Sequence, residues 1–114
     1  MRHPKVLAAA AEAIRGIWQA QGFAVTEVPF EVAGAPAMNL QVEVKGDRAV
    51  SEWLVIGAHY DSAHGLPGAD DNASGLAGLL ELSRLFSPRF GSQENQLPPA
   101  VGLRFVAFTN EEPP

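Results

Sequence analysis

Three short polar motifs in this sequence adjoin apolar runs and combine an imidazole or carboxylates with small residues. Residues 59–62 read His-Tyr-Asp-Ser, residues 68–75 read Gly-Ala-Asp-Asp-Asn-Ala-Ser-Gly, and residues 110–112 read Asn-Glu-Glu. Imidazole nitrogens and carboxylate oxygens are ligands of divalent transition metals such as zinc. A carboxylate that is left free beside such a metal can take a proton from metal-bound water. The motifs therefore contain the groups that a metal-activated hydrolytic water needs.

The first motif places His59 and Asp61 two positions apart, so on an extended chain both project to the same side. Asp61 can then accept a hydrogen bond from the ring nitrogen of His59 that does not bind metal, which fixes the tautomer and orientation of the ring. A pattern this short also occurs as a strand-end histidine followed by a turn-capping aspartate. We take His59 as a candidate ligand and Asp61 as its supporting acid.

The other two motifs are acidic. Asp70 and Asp71 are adjacent carboxylates that repel each other, and a bound cation offsets that cost. The structural alternative is an acidic loop in which Asn72 or Ser74 caps a helix. In the pair Glu111-Glu112 one carboxylate can bind metal while its neighbour holds a proton, although two solvated acids in a turn are the commoner case.

The elements that must position these motifs follow from the hydrophobic pattern. A strand at 53–58 is nearly continuous in apolar residues, which predicts burial on both faces. Residues 24–32 and 38–44 alternate in the manner of an antiparallel hairpin, turning at 34–36. Apolar residues at helical spacing predict helices at 4–21 and about 74–86, and a final apolar strand is expected at 101–108.

Two buried strands joined by a helix form a right-handed parallel crossover, and ligands of such α/β sheets bind beyond the carboxyl ends of the strands. His59 and the pair Glu111-Glu112 fall at those two ends, and the second motif begins the helix between them. We therefore expect all three motifs to meet at one edge of the sheet. That convergence favours a metal site over three unrelated structural explanations.

Composition limits the remaining possibilities. The chain has 114 residues, 46% hydrophobic and 18% charged, which fits one globular domain at most. A net charge of −5 without a basic cluster argues against nucleic acid or an anionic membrane as a partner. Without cysteine, any metal must be held by histidine and carboxylates. The sequence shows neither a signal peptide nor an apolar run of roughly 20 residues that could span a bilayer.

Residues 59–62, 67–75 and 110–114 resemble the co-catalytic two-zinc exopeptidases, a group that includes bacterial leucine aminopeptidases, glutamate carboxypeptidase and glutaminyl cyclase. The resemblance implies a three-layer α/β/α sandwich around a mixed sheet, with residues 1–114 forming the amino-terminal part of the catalytic domain. It also implies a peptide substrate, with aminopeptidase action expected because that activity is the commonest in the group.

By the same resemblance, His59 binds one zinc ion, Asp71 bridges two zinc ions and Glu112 binds the second. Glu111 is then the general base and acid, and Asp61 supports His59. The family takes a further Asp and His from sequence after the Glu pair, whereas only two prolines follow Glu112 here. We therefore expect an amino-terminal fragment of a longer enzyme, inactive by itself, with an apolar strand edge and face left uncovered.

Two alternatives stay open. A glutaminyl-cyclase-like acyltransferase would use one zinc and lack the first histidine, so His59 favours the two-metal peptidase. A catalytically inactive receptor or interaction domain would be expected to lose ligands or the base. The presence of His59, Asp71, Glu111 and Glu112 favours an enzyme parent.

Overall fold

The computed structural model describes residues 4–32, 34–46, 49–60, 69–91 and 97–108, and these form a mixed α/β fold. The four-stranded sheet has the order β1-β2-β4-β3, in which β1–β2 and β2–β4 are antiparallel and β3–β4 are parallel. This confirms the predicted hairpin, the parallel crossover and the mixed sheet. The elements in chain order are α1 (Pro4–Ala20), β1 (Thr26–Val32), β2 (Ala35–Val44), β3 (Glu52–His59), α2 (Ala69–Leu85) and β4 (Val101–Phe108).

Both helices pack on one face of the sheet, and the core lies between them and β2 and β4. Trp18 of α1 and Phe105 of β4 are fully buried, as are Leu40 and Val42 of β2. Residues of β4 alternate across the sheet, so Leu103, Phe105 and Ala107 share the helix-covered face. The predicted alternation of β2, with Val42 and Val44 on one side, is what the structure shows.

A glycine allows α1 to end against the segment that follows α2. Gly22 has a φ of 95°, in the left-handed region that a residue with a Cβ adopts at a cost. A Cβ at this position would lie 3.2 Å from the Cβ of Pro88. The backbone carbonyl of Gln21 accepts a hydrogen bond from the Arg89 amide at 3.1 Å. The end of α1 is thus fixed to the end of α2.

The predicted turn at 34–36 is shorter in the structure. Gly34 has a φ of 81°, but Ala35 already belongs to β2. Pro36 can lie within the strand because β4 pairs with β2 only over residues 40–44, so this part of β2 has β1 as its one described partner. A proline lacks the N–H that a strand paired on both sides would need.

The prediction that residues 53–58 are buried on both faces is wrong. Leu54 and Val55 are each 55% exposed, because β3 is an edge strand of the described sheet. Ile56 and Ala58 do pack against the core under the helices. Side chains of this apolar run therefore point alternately to the face under the helices and to a second face, on which no described helix packs.

That second face, here called the helix-free face, carries aromatic rings laid across glycines of the neighbouring strand. The Trp53 ring lies over Gly102, and the Arg104 guanidinium lies 4.5 Å from the Trp53 ring centroid. Arg104 also forms an ion pair with Glu43 of β2 at 2.7 Å. Among the described residues of this face, Val55 and Phe108 are exposed apolar side chains, whereas Val106 is buried.

Helix α2 begins at Ala69 rather than near Ser74, so the pair Asp70-Asp71 lies in its first turn. Acidic residues are favoured there by the partial positive charge of a helix N-terminus. Near the other end, hydrogen bonds from Arg84 hold the pKa of the Glu81 carboxyl below its usual range. Because both side chains are exposed, this ion pair is expected to add little stability.

Candidate metal centre at the carboxyl edge of the sheet

The carboxyl ends of β3 and β4 coincide, which is the geometry that the sequence pattern predicted. His59 is the last residue of β3 and is in register with Phe108, the last residue of β4. The parallel pairing of these strands places their last residues at one edge of the sheet. The first motif therefore begins at the same edge at which β4 ends.

His59 is half-buried, and its ring nitrogen Nδ1 is shielded from solvent. The imidazole is fixed at the end of a strand rather than on a long loop, which suits a ligand that must be pre-positioned. The next residue, Tyr60, donates its backbone N–H to the Phe108 carbonyl at 2.8 Å and its hydroxyl to the Met38 carbonyl at 2.7 Å. The sequence pattern predicted no role for Tyr60, and the signal it offered was an aromatic residue shortly after a predicted strand.

The start of α2 lies next to the end of β3. A Cβ built on Gly75 would meet the Cβ of Ala58 at 3.8 Å, an ordinary packing distance. Ala58 directly precedes His59, and Asp71 lies one helical turn before Gly75. Gly75, the last residue of the second motif, thus packs on the strand end that leads into the first motif, which agrees with the crossover topology.

The remaining predicted site residues, Asp61, Glu111 and Glu112, lie outside the described residues, and for Asp71 the described feature is its helical backbone. Within the described ranges no group of three or more histidine and acidic side chains forms a complete metal site. The donors that the sequence supplies, imidazole and carboxylate without thiolate, fit zinc. The described His59, half-buried at this edge, fits one of its ligands.

The described residues form an α/β domain with a mixed sheet. An imidazole lies at the carboxyl edge of the sheet, and the crossover helix has an acidic first turn. The domain therefore belongs to the class of α/β domains with a candidate metal site at this edge. Residues 39–113 match the model of Peptidase family M28, which is more than half of the chain. The chain belongs to this family.

Curated relatives agree with the family. The chain is 39% identical over 112 residues to "Uncharacterized protein YfbL" of Escherichia coli, covering 91% of this chain and 32% of that protein. It is 34% identical over 82 residues to a "Probable zinc metalloprotease" of Pyricularia oryzae, and this match covers 65% of this chain and 15% of that protein. It is 39% identical over 59 residues to "Aminopeptidase YwaD" of Bacillus subtilis, and this match covers 52% of this chain and 11% of that protein. The chain thus spans about a third or less of the length of these relatives.

Solved structures show the same fold. A Porphyromonas gingivalis glutaminyl cyclase superposes with a TM-score of 0.64 at 25% identity, covering 89% of this chain and 36% of that one. The Legionella pneumophila LapA aminopeptidase superposes with a TM-score of 0.55 at 21% identity, and the match covers 93% of this chain and 27% of that one. The described helices include none with the length and apolar character needed to cross a bilayer.

Proposed function

We propose that the protein carrying this chain is a zinc-dependent exopeptidase that removes amino-terminal residues from peptides. The observation that carries the proposal is the position of His59 at the carboxyl edge of β3 and β4, with Gly75 of α2 packed on the adjoining Ala58, in a chain of Peptidase family M28. The names of the relatives, a probable zinc metalloprotease and an aminopeptidase, support the metal and the direction of cleavage.

In this proposal the site would hold two zinc ions. His59 would hold one of them, Glu112 the other and Asp71 both, while Asp61 would orient the His59 ring. Each ion would then have two ligands from this chain, fewer than the three protein ligands usual for catalytic zinc. In this proposal the remaining ligands would correspond to parts of the relatives that this chain does not span, and the 114-residue polypeptide by itself would be inactive.

Bound zinc supplies a lowered water pKa and a polarised carbonyl. The chain's own contribution to the reaction is proton transfer. Glu111 accepts the proton of the attacking water on a carboxylate oxygen and passes it to the nitrogen of the departing amine. The fixed end of β3 keeps the imidazole in place, so that little ordering remains to be done when substrate binds.

Replacing Glu111 by Gln in the intact protein tests the assignment of the base. The amide cannot take the proton, so turnover of an aminoacyl anilide is expected to fall by about 10²- to 10⁴-fold while zinc content stays unchanged. Zinc is measured by atomic emission on the same samples. His59→Ala is the matched control and is expected to lose both zinc and turnover. Unchanged turnover in Glu111→Gln would refute the role of the base.

A second candidate is glutaminyl cyclisation, favoured by the structural likeness to a glutaminyl cyclase. The two reactions differ in whether water is consumed at a peptide bond. Incubation with a peptide that begins with glutamine, followed by mass spectrometry, separates them. Loss of ammonia without release of an amino acid indicates cyclisation, whereas release of the first residue indicates the peptidase.

A further inference from the structure

We infer that Tyr60 is a positioning residue, which holds the His59 end of β3 against β4 and β2 and so sets the geometry of the metal site. The inference rests on the proposed function, because it assigns His59 as a ligand. Tyr60 does not itself contact the metal in this inference. Its effect is transmitted through the backbone of the residue next to it.

The first contact is made by the backbone of Tyr60. Its N–H donates to the carbonyl of Phe108 at 2.8 Å, which extends the parallel β3–β4 ladder one step beyond the last strand residue. His59 therefore has strand pairing on its amino-terminal side and a ladder hydrogen bond on its carboxyl-terminal side. Fraying at the end of β3 would otherwise let the imidazole move.

The second contact is made by the side chain. The Tyr60 hydroxyl donates to the carbonyl of Met38 at 2.7 Å, and Met38 belongs to β2. In the strand order β1-β2-β4-β3, β4 lies between β3 and β2, so this hydrogen bond links the end of β3 to the strand on the far side of β4. The Tyr60 ring is half-buried and packs against the core. One residue thus links three strands at the edge that carries the candidate site.

The consequence for the site is pre-organisation. His59 directly precedes Tyr60, so the Tyr60 anchor restrains the backbone that carries the imidazole. Groups that orient metal ligands without touching the metal typically contribute 10- to 100-fold to metal affinity. Removing the hydroxyl should loosen this orientation while leaving the ring packed.

The test compares Tyr60→Phe with Ser87→Ala in the intact protein. Ser87 is a fair control because its buried hydroxyl also makes hydrogen bonds, to the Arg84 carbonyl and from the Phe90 amide, at the far end of α2. Zinc affinity is measured by competition with a chromogenic chelator. Hydrogen exchange of the amide at position 60 is followed in the metal-free protein.

Tyr60→Phe is expected to weaken zinc binding about 10-fold and to speed exchange of the amide at position 60, with neither effect in Ser87→Ala. Equal losses of zinc affinity in both variants would mean a general structural role and would overturn the inference. Unchanged zinc affinity in Tyr60→Phe would overturn it as well.

His59→Ala separates failure of the inference from failure of the proposed function. If His59→Ala binds zinc as the wild type does, the assignment of the ligand fails and the proposed function fails with it. If His59→Ala loses zinc but Tyr60→Phe does not, the proposed function stands and only the role of Tyr60 is rejected.

Discussion

Glycines beneath aromatic rings show how single residues shape the strands that lead to the site. A Cβ on Gly102 would lie 2.6 Å from the Trp53 ring, and a Cβ on Gly57 would lie 2.2 Å from the Phe108 ring. Both contacts are between β3 and β4, and Gly57 and Phe108 lie at the end where the candidate site begins. Rings that cover glycines in a neighbouring strand help to fix the register of a sheet.

Gly102→Ala is expected to destabilise the protein by about 1 kcal/mol, because the added methyl group displaces the Trp53 ring and separates it from Arg104. Replacing glycine also lowers the backbone entropy of the unfolded chain, which stabilises the fold, but this effect is smaller than the cost of displacing the ring. Gly78→Ala in α2 is the matched control. A Cβ there meets nothing within 4 Å, so this variant should gain up to about 1 kcal/mol. Urea denaturation measures the change in the free energy of unfolding for both variants. A Gly102→Ala variant more stable than the wild type would contradict the packing argument.

At the scale of elements, a buried polar cluster fixes the two helices relative to each other. The Trp18 indole donates to the Ser83 hydroxyl at 3.0 Å. That hydroxyl lies 3.0 Å from the Gln21 side-chain oxygen and 2.8 Å from the Leu80 carbonyl, either of which can accept its proton. Helix α2 begins at the candidate site, and α1 packs against the opposite end of α2. The contact with α1 therefore helps to fix the position of the first turn of α2.

Ser83→Ala is expected to cost about 1–3 kcal/mol, since it leaves the indole N–H and the Gln21 oxygen buried with one partner fewer. Thermal and urea unfolding of the intact protein measure the change. Ser51→Ala is the comparison, because the Ser51 hydroxyl makes a long, exposed contact of 3.4 Å with the Ala100 carbonyl and should change stability by less than about 0.5 kcal/mol. Similar losses in the two variants would rule out the cluster as a specific anchor.

For the whole molecule, the two edges of the described sheet differ. Strand β1 carries Pro29 and the charged residues Glu27 and Glu31, which discourage pairing with another chain. Strand β3 has an apolar run and two half-exposed aliphatic side chains at its edge. An edge of this kind is a template for association unless another element covers it.

The 114-residue polypeptide expressed alone is therefore expected to self-associate, and Val55→Lys should suppress the association by placing a charge on the exposed edge. Sedimentation velocity over a concentration series measures this. Val28→Lys on β1 is the control and should leave association unchanged, because the β1 edge is already protected. A monomeric wild-type polypeptide would contradict the expectation.

The sequence by itself determined the order and type of the elements, since hydrophobic periodicity reflects local geometry. Strand β4 begins and ends where the pattern predicted, and α1 begins at Pro4 as expected. The position of His59 at a strand end, and the family to which the chain belongs, also followed from local motifs. The role of His59 as a metal ligand and the roles of Asp61, Asp71, Glu111 and Glu112 stay predictions.

The tertiary structure decided what depends on neighbours distant in sequence. An apolar run such as 53–58 has the same pattern at the centre of a sheet and at its edge, so the exposure of Leu54 and Val55 followed only from the strand order. The early start of α2 and the anchoring of Tyr60 to β2 likewise depend on packing across the sheet. Pairing between strands is a non-local interaction, and for that reason the sequence indicated which residues approach the edge while the fold decided what holds them there.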